Sequence, residues 1–251
     1  MIKIKTPEEI KIMTEAGKIL AEILEKIKDK ALPGTSTEEL ERLAKSLVLS
    51  YKVECSFKGY MDYPTCLCTS INEEIVHAVP SERILKEGDI LSIDFGVKYK
   101  GFHSDMAVTV SIGEVSPELK RLIKVTKKSL KRGIRNVRPG NTVGDIGNAI
   151  QRYVDDQGLG LVRDLCGHGI GRELHEDPQI LNYGKRHSGE ELKEGMVICI
   201  EPMVTLGDWK IKKGPDGFAF VTKDNSFSAH FEHMMAITSN GCRVLTEIQT
   251  D

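Results

Sequence analysis

An α+β fold made of two repeated halves is what the 251-residue sequence predicts, and three observations predict it. Helix-start signatures occur in the same order twice, near residues 6 and 36 and again near 116 and 142. After each pair the apolar spacing changes from three or four residues to short runs broken by Gly, Pro and Asn, which suits strands. Finally, Leu85-Lys86-Glu87-Gly88-Asp89-Ile90 returns 107 residues later as Leu192-Lys193-Glu194-Gly195-Met196-Val197.

The elements follow in order. Thr6 is an N-cap, with Pro7 at the first helical position and Glu9 closing a capping box. Ile10, Met13, Gly17, Leu20, Leu24 and Ile27 then recur on one helical face. After Pro33-Gly34, Ser36 and Glu39 make a second capping box, followed by Leu40, Leu43, Ala44 and Leu47. From about Cys66 to Val110 the pattern is that of strands. Ser116-Pro117-Glu118 and Pro139-Gly140-Asn141-Thr142 restart the programme. Self-similarity at a fixed offset marks a duplicated unit. The expectation is one domain over residues 1–251, with halves of about 1–112 and 113–251 related by a pseudo-two-fold axis. Such an axis places Asp94 near Glu201, because the two occupy equivalent positions after the repeated segment.

Composition narrows the class. Thirty-five Lys and Arg against 37 Asp and Glu give a net charge of −2, and 40 % of residues are hydrophobic. No apolar run reaches the ~18 residues of a membrane span, and the opening residues lack the apolar segment of a secretory signal. A cytoplasmic protein is expected, with no membrane partner. The six cysteines include one close pair, Cys66 and Cys68, in a C-x-C arrangement, so reduced thiols and no structural zinc are expected.

The chemistry lies in buried acids. Asp94 falls within the apolar run 89–97 and Asp105 within the next strand, 103–111. Lone buried carboxylates are costly unless paired or bound to a cation. A turn centred on Tyr99-Lys100 would make the two direct cross-strand partners, like charges that call for a proton or a cation between them. In the second half Glu201 ends the strand 196–204, Glu232 lies in a run with apolar C-terminal neighbours, and His168 stands among Gly167, Gly169 and Gly171. Missing side chains at those glycines allow close approach of a ligand or backbone. One imidazole with four carboxylates suits Mn(II), Fe(II), Co(II) or Zn(II), and has the charge for two divalent ions, the equipment of a hydrolase.

At these residues the sequence resembles the type I methionine aminopeptidases of the pita-bread fold. The motifs are Ser70-Ile71-Asn72-Glu73 through His77, Ile93-Asp94, Gly101-Phe102-His103-Ser104-Asp105, Gly167-His168-Gly169-Ile170-Gly171, Ile200-Glu201-Pro202-Met203 and Phe231-Glu232-His233. The resemblance covers essentially the whole chain. It implies duplicated halves with an antiparallel sheet covered by helices. It also implies that Asp94, Asp105, His168, Glu201 and Glu232 are ligands of two divalent ions. His175 would donate to the scissile carbonyl, His77 would contact substrate near the scissile amide, and Glu201 would carry a proton to the departing amine. Tyr60, Tyr63, Cys68 and Phe218 would form a methionine pocket, whose aromatic rings and small thiol suit a thioether. Phe218 stands where many relatives have Trp, and Leu174 where some have Phe. The implied activity is removal of N-terminal methionine from nascent proteins and peptides, with a small second residue favoured, by a monomer. The 57 residues between His175 and Glu232 leave no room for the helical insertion of the type II enzymes, and the short N-terminus suggests the minimal bacterial form.

Residues 117–138 hold nine basic side chains and one acid, Glu118. A solvated helix face explains such a run, and a surface meeting ribosomal phosphate is the functional alternative. Two other readings share the fold. An Xaa-Pro aminopeptidase or prolidase would carry an additional N-terminal domain, for which residues 1–65 are too few. A non-catalytic binding protein would have lost ligands.

Overall fold

The structure is a computed structural model that describes residues 2–247. Helix α1 (Pro7–Lys28) starts at the expected capping box: Thr6 accepts from the Glu9 N–H, and the Glu9 carboxylate accepts from Thr6 N. Helix α2 (Thr37–Tyr51) starts at the Ser36–Glu39 box in the same way. Strands β1 (Glu54–Cys55), β2 (Leu67–Ile71), β3 (Glu74–Val76), β4 (Ile90–Tyr99) and β5 (Phe102–Ser111) follow, with a single 3-10 turn at Tyr60–Asp62. Then come α3 (Pro117–Ile134) and α4 (Val143–Asp156), opened by Ser116 and Thr142 as expected. Ten further strands complete the described residues: β6 (Gly160–Leu161), β7 (Gly167–Gly169), β8 (Glu176–Ile180), β9 (Val197–Ile200), β10 (Met203–Thr205), β11 (Ile211–Lys213), β12 (Phe220–Thr222), β13 (Ser228–His230), β14 (His233–Thr238) and β15 (Gly241–Val244).

All strand pairs are antiparallel, and they divide into several sheets. In one, β4 pairs with β5 along one edge and with β2 and β1 end to end along the other. Another runs β15-β14-β9-β7-β8. Two small sheets, β13-β10-β6 and β11-β12-β3, fill the gaps. Helices α1 and α2 bury Leu20, Leu24, Leu40 and Ala44 against Leu91, Ile93 and Phe95 of β4. Helices α3 and α4 bury Leu122, Ile146 and Ile150 against Ile198, Ile200 and Met235 of β9 and β14.

Three sequence expectations are corrected. The β4–β5 turn is centred on Lys100-Gly101, one residue later than expected, because both residues have positive φ (48° and 81°) as a two-residue type I′ loop requires. Asp94 therefore faces Ala107, and Asp105 faces Gly96. The two acids are diagonal neighbours on one face, not direct partners. The thiols are not all reduced either: Cys55 and Cys66 are joined as a disulfide. The reason lies in the sheet. The ends of β1 and β2 meet on the same edge of β4, with Cys55 against Val97 and Leu67 against Phe95, so the two Cα atoms come within 5.2 Å. The basic helix is also shorter than read, ending at Ile134, so that Arg138 lies in the following turn.

Candidate active site

The five candidate ligands come from five segments. Asp94 and Asp105 sit mid-strand on β4 and β5, and Glu201 directly follows β9. Glu232 lies in the two-residue break between β13 and β14, where its N–H donates to the carbonyl of Ala107 at 2.8 Å, the residue opposite Asp94. That bond fastens the second repeat onto the first at the acids themselves. His168 lies on β7, whose glycines are used as the sequence suggested. A Cβ at Gly167 would collide with the Cys199 carbonyl, and one at Gly169 with that of Asp177. The backbones of β8 and β9 can pack against β7 only because no Cβ intervenes.

His168 organises the site. Its Nδ1 lies 2.9 Å from the Gly169 carbonyl, which can only accept, so Nδ1 carries the proton and Nε2 presents a lone pair. That lone pair faces Glu201 Oε1 at 3.7 Å, Asp105 Oδ2 at 3.9 Å and Glu232 Oε1 at 4.0 Å. Burial pushes the imidazole down to about 3, with the neighbouring His175 adding to the shift, so it is neutral near pH 7. A lone pair and several carboxylate oxygens thus point at one another across gaps too long for hydrogen bonds. Asp94 Oδ1, Asp105 Oδ1 and Glu232 Oε1 are buried without a hydrogen-bond partner. Burial pushes all four carboxyls above their ordinary range, and mutual repulsion raises Asp105, Glu201 and Glu232 further. Ligand atoms of Asp94, Asp105 and Glu232 gather within 4.8 Å of one another, as do those of His168, Cys199 and Glu232. Orphaned anionic oxygens around a neutral nitrogen fit divalent cations, which would satisfy all of them at once.

Beside the acids lies a cavity of about 390 Å³, whose lining includes Tyr60, Tyr63, Cys68, Leu174 and Phe218, every member of the expected methionine pocket. Tyr63 packs edge-on against Phe218 at 5.5 Å, and its hydroxyl is tied to the carbonyls of Leu67 and Ala78. Cys68 faces Asp94 across β2 and β4; burial, with that carboxylate adding, pushes its thiol up, so it packs as a small apolar group. His77 and His175 both stand exposed at the mouth. His77 follows β3 with φ of 62° and packs edge-on against Phe220 at 5.9 Å. His175 Nδ1 lies 2.8 Å from the Tyr60 hydroxyl, which leaves Nε2 free to meet a substrate. Its loop is held by Glu176, which accepts from the N–H groups of Arg172 and Glu173 and from buried Lys5 at 2.7 Å.

The sequence reading missed several residues of this site, Met61, Lys213 and Phe220 of the lining among them. Phe57 lines the cavity with no recognisable spacing signal. Cys199 and His230 do have one, since each stands two residues before a candidate glutamate and so shares its face on a strand. The His230 ring is 1 % exposed, and burial, with His77 nearby, pushes it down to about 3.

Comparison with known proteins bears on this site. The model of metallopeptidase family M24 matches residues 11–239. The chain is 47 % identical to a methionine aminopeptidase of Clostridium acetobutylicum, over 98 % of this chain and 99 % of that one. It is 45 % identical to methionine aminopeptidase 1 of Bacillus subtilis, over 99 % of this chain and all of that one. The crystal structure of a methionine aminopeptidase from Thermotoga maritima superposes with a TM-score of 0.97 at 44 % identity, covering 99 % of this chain and 100 % of that chain. A prolidase from Pyrococcus horikoshii shares the fold at a TM-score of 0.79 and 22 % identity; there the match covers 99 % of this chain but 64 % of the other. With its pita-bread fold and its cluster of orphaned carboxylates about a histidine, the chain belongs to metallopeptidase family M24, among the methionine aminopeptidases.

Proposed function

We propose that this chain is a metalloaminopeptidase that removes N-terminal methionine from peptides and nascent proteins, favouring a small second residue. The observation that carries the reading is the His168 Nε2 lone pair facing three carboxylates beside an aromatic cavity. Residues 1–251 act as one catalytic domain, with the site between halves of about 1–112 and 113–251. Asp94, Asp105, His168, Glu201 and Glu232 hold two divalent ions, Mn(II), Fe(II), Co(II) or Zn(II) by the hardness of the donor set. Ions held there would supply polarisation of the scissile carbonyl and a water made nucleophilic at neutral pH.

The chain's own groups do the rest. The thioether of the substrate methionine lies among Tyr60, Tyr63, Cys68 and Phe218, with Leu174 closing the wall. His175 Nε2, its ring held through Nδ1 by Tyr60, donates to the carbonyl oxygen as negative charge develops there, a contribution typically worth about 2.7–4 kcal/mol. His77, at the opposite rim, contacts the peptide next to the scissile amide. Glu201 takes a proton from the attacking water and delivers it to the departing amine. The enzyme works as a cytoplasmic monomer, and the exposed basic residues of α3 meet ribosomal phosphate where nascent N-termini emerge. No helix among the described residues is long and apolar enough to cross a membrane.

The competing assignment is cleavage before proline. Full-length protein supplied with Mn(II) or Co(II) should release free methionine from Met-Ala-Ser and leave Xaa-Pro peptides uncut. The opposite pattern would refute the proposal.

A further inference from the structure

Glu201 turns its two carboxylate oxygens toward two different histidines. Oε1 lies 3.7 Å from His168 Nε2, whereas Oε2 lies 3.7 Å from Nε2 of His230. His230 ends β13 with its backbone held on both sides by one hydroxyl. Its N–H donates to Thr109 Oγ1, and that hydroxyl donates back to the His230 carbonyl, both at 2.8 Å. Thr109 is itself paired with Ser92 at 2.8 Å. The ring is therefore presented from a fixed point on the first repeat's hairpin. It is buried, and neither ring nitrogen has a hydrogen-bond partner.

An imidazole carries at least one N–H in every protonation state, and a buried N–H without an acceptor is costly. The Glu201 carboxylate stands less than 1 Å beyond hydrogen-bond range, a gap that side-chain rotation closes, and contacts of this kind tighten when the ligands they serve are bound. We propose that His230 is a positioning residue whose Nε2–H donates to Glu201 Oε2, fixing the carboxylate plane so that Oε1 stays turned toward the ion site. Partners behind a ligand that orient it in this way typically govern metal affinity or activity by about 10–100-fold. The inference rests on the reading of Glu201 as a ligand and proton carrier.

Wild type, His230→Leu and His230→Gln decide the matter, each loaded with Mn(II) and assayed on Met-Ala-Ser, with Mn(II) affinity measured calorimetrically in the absence of peptide. His230→Leu should lower kcat about 10–100-fold with KM within about twofold, and should weaken Mn(II) binding. Its metal-free melting temperature should be no lower than wild type, because an unpaired buried ring has been replaced by an apolar one. His230→Gln, which keeps an N–H donor, should recover most of the rate and the affinity. Wild-type kcat in His230→Leu, a His230→Gln as slow as His230→Leu, or a lowered metal-free melting temperature in His230→Leu overturns the proposal. An inactive wild type would instead overturn the reading of the site on which it rests.

Discussion

The two repeats bring ligand candidates to one point by different means. In the first, Asp94 and Asp105 lie inside a regular hairpin of two ten-residue strands, where the two-residue period of a strand puts both on one face. In the second, every candidate lies at an irregularity. The β7–β8 register shifts between His168 and Gly169, Glu201 falls past the end of β9, and Glu232 occupies the break between β13 and β14. Regular strands can aim neighbours in one direction; three side chains from three segments converge only where the strands are interrupted. The first repeat therefore supplies a rigid floor, and the second depends on close backbone contacts that glycine alone permits.

The largest effect should come from removing one charged ligand candidate from each side. Asp94→Asn and Glu232→Gln should each lower kcat on Met-Ala-Ser by roughly 10³-fold or more, since several kcal/mol of transition-state stabilisation is lost in both. A near-normal rate in either would remove that repeat's contribution from the site.

Stability should divide the two repeats where catalysis does not. An added Cβ at Gly169 meets only backbone, nearest the Asp177 carbonyl, whereas at Gly96 its nearest contacts are the Phe57 ring and Ser56 Cβ, each at 2.8 Å, with the Ser104 carbonyl farther off at 3.1 Å. Gly169→Ala should cost about 3 kcal/mol or more and Gly96→Ala about 1 kcal/mol, read from thermal or denaturant unfolding. Equal costs would mean that the irregular strands yield as easily as the hairpin.

A smaller effect is expected at the Lys5–Glu176 pair, which holds the His175 loop. Burial raises the Glu176 carboxyl, but the hydrogen bond and charge of Lys5, with the Glu173 N–H and the Lys3 charge adding, outweigh it and leave its pKa lowered. A carboxyl lowered on folding stabilises above its unfolded pKa and loses that contribution as pH falls through the folded value. Lys5→Met should therefore destabilise the protein by about 2 kcal/mol at pH 7, and the difference from wild type should shrink as the pH is taken down through the carboxylate range. A difference independent of pH would show that Lys5 acts through packing alone.

The smallest effect concerns α3, whose basic side chains are exposed on one face while Leu119, Leu122, Val125 and Leu130 are buried on the other. Replacing Lys124, Lys128 and Arg135 with Glu should weaken salt-sensitive co-sedimentation with ribosomes and leave Met-Ala-Ser turnover unchanged. Unchanged binding would assign that face to solvent.

Much of this was legible in the sequence, for local reasons. The Thr6–Glu9 and Ser36–Glu39 boxes fix helix starts within four residues of chain, and the 107-residue offset pairs Asp94 with Glu201 before any fold is known. The hairpin register differs by two from the sequence expectation because it hangs on which two residues take positive φ, and Gly101 is the local signal for that turn. The Cys55–Cys66 disulfide was invisible because it depends on β1 and β2 meeting end to end on β4, a tertiary fact. His230 went unassigned for a similar reason. Its partner Glu201 is 29 residues away, and only the pairing of β10 with β13, which sets Met203 opposite His230, brings the two together.

If ligand candidates from both repeats close around shared divalent ions, the number of ions bound must depend on both. Titrated calorimetrically with Mn(II), the wild-type chain should take up two ions, and Asp94→Asn and His168→Ala should each take up fewer. A wild type that binds none, or variants from both repeats that still bind two, would show that the repeats do not share a metal site.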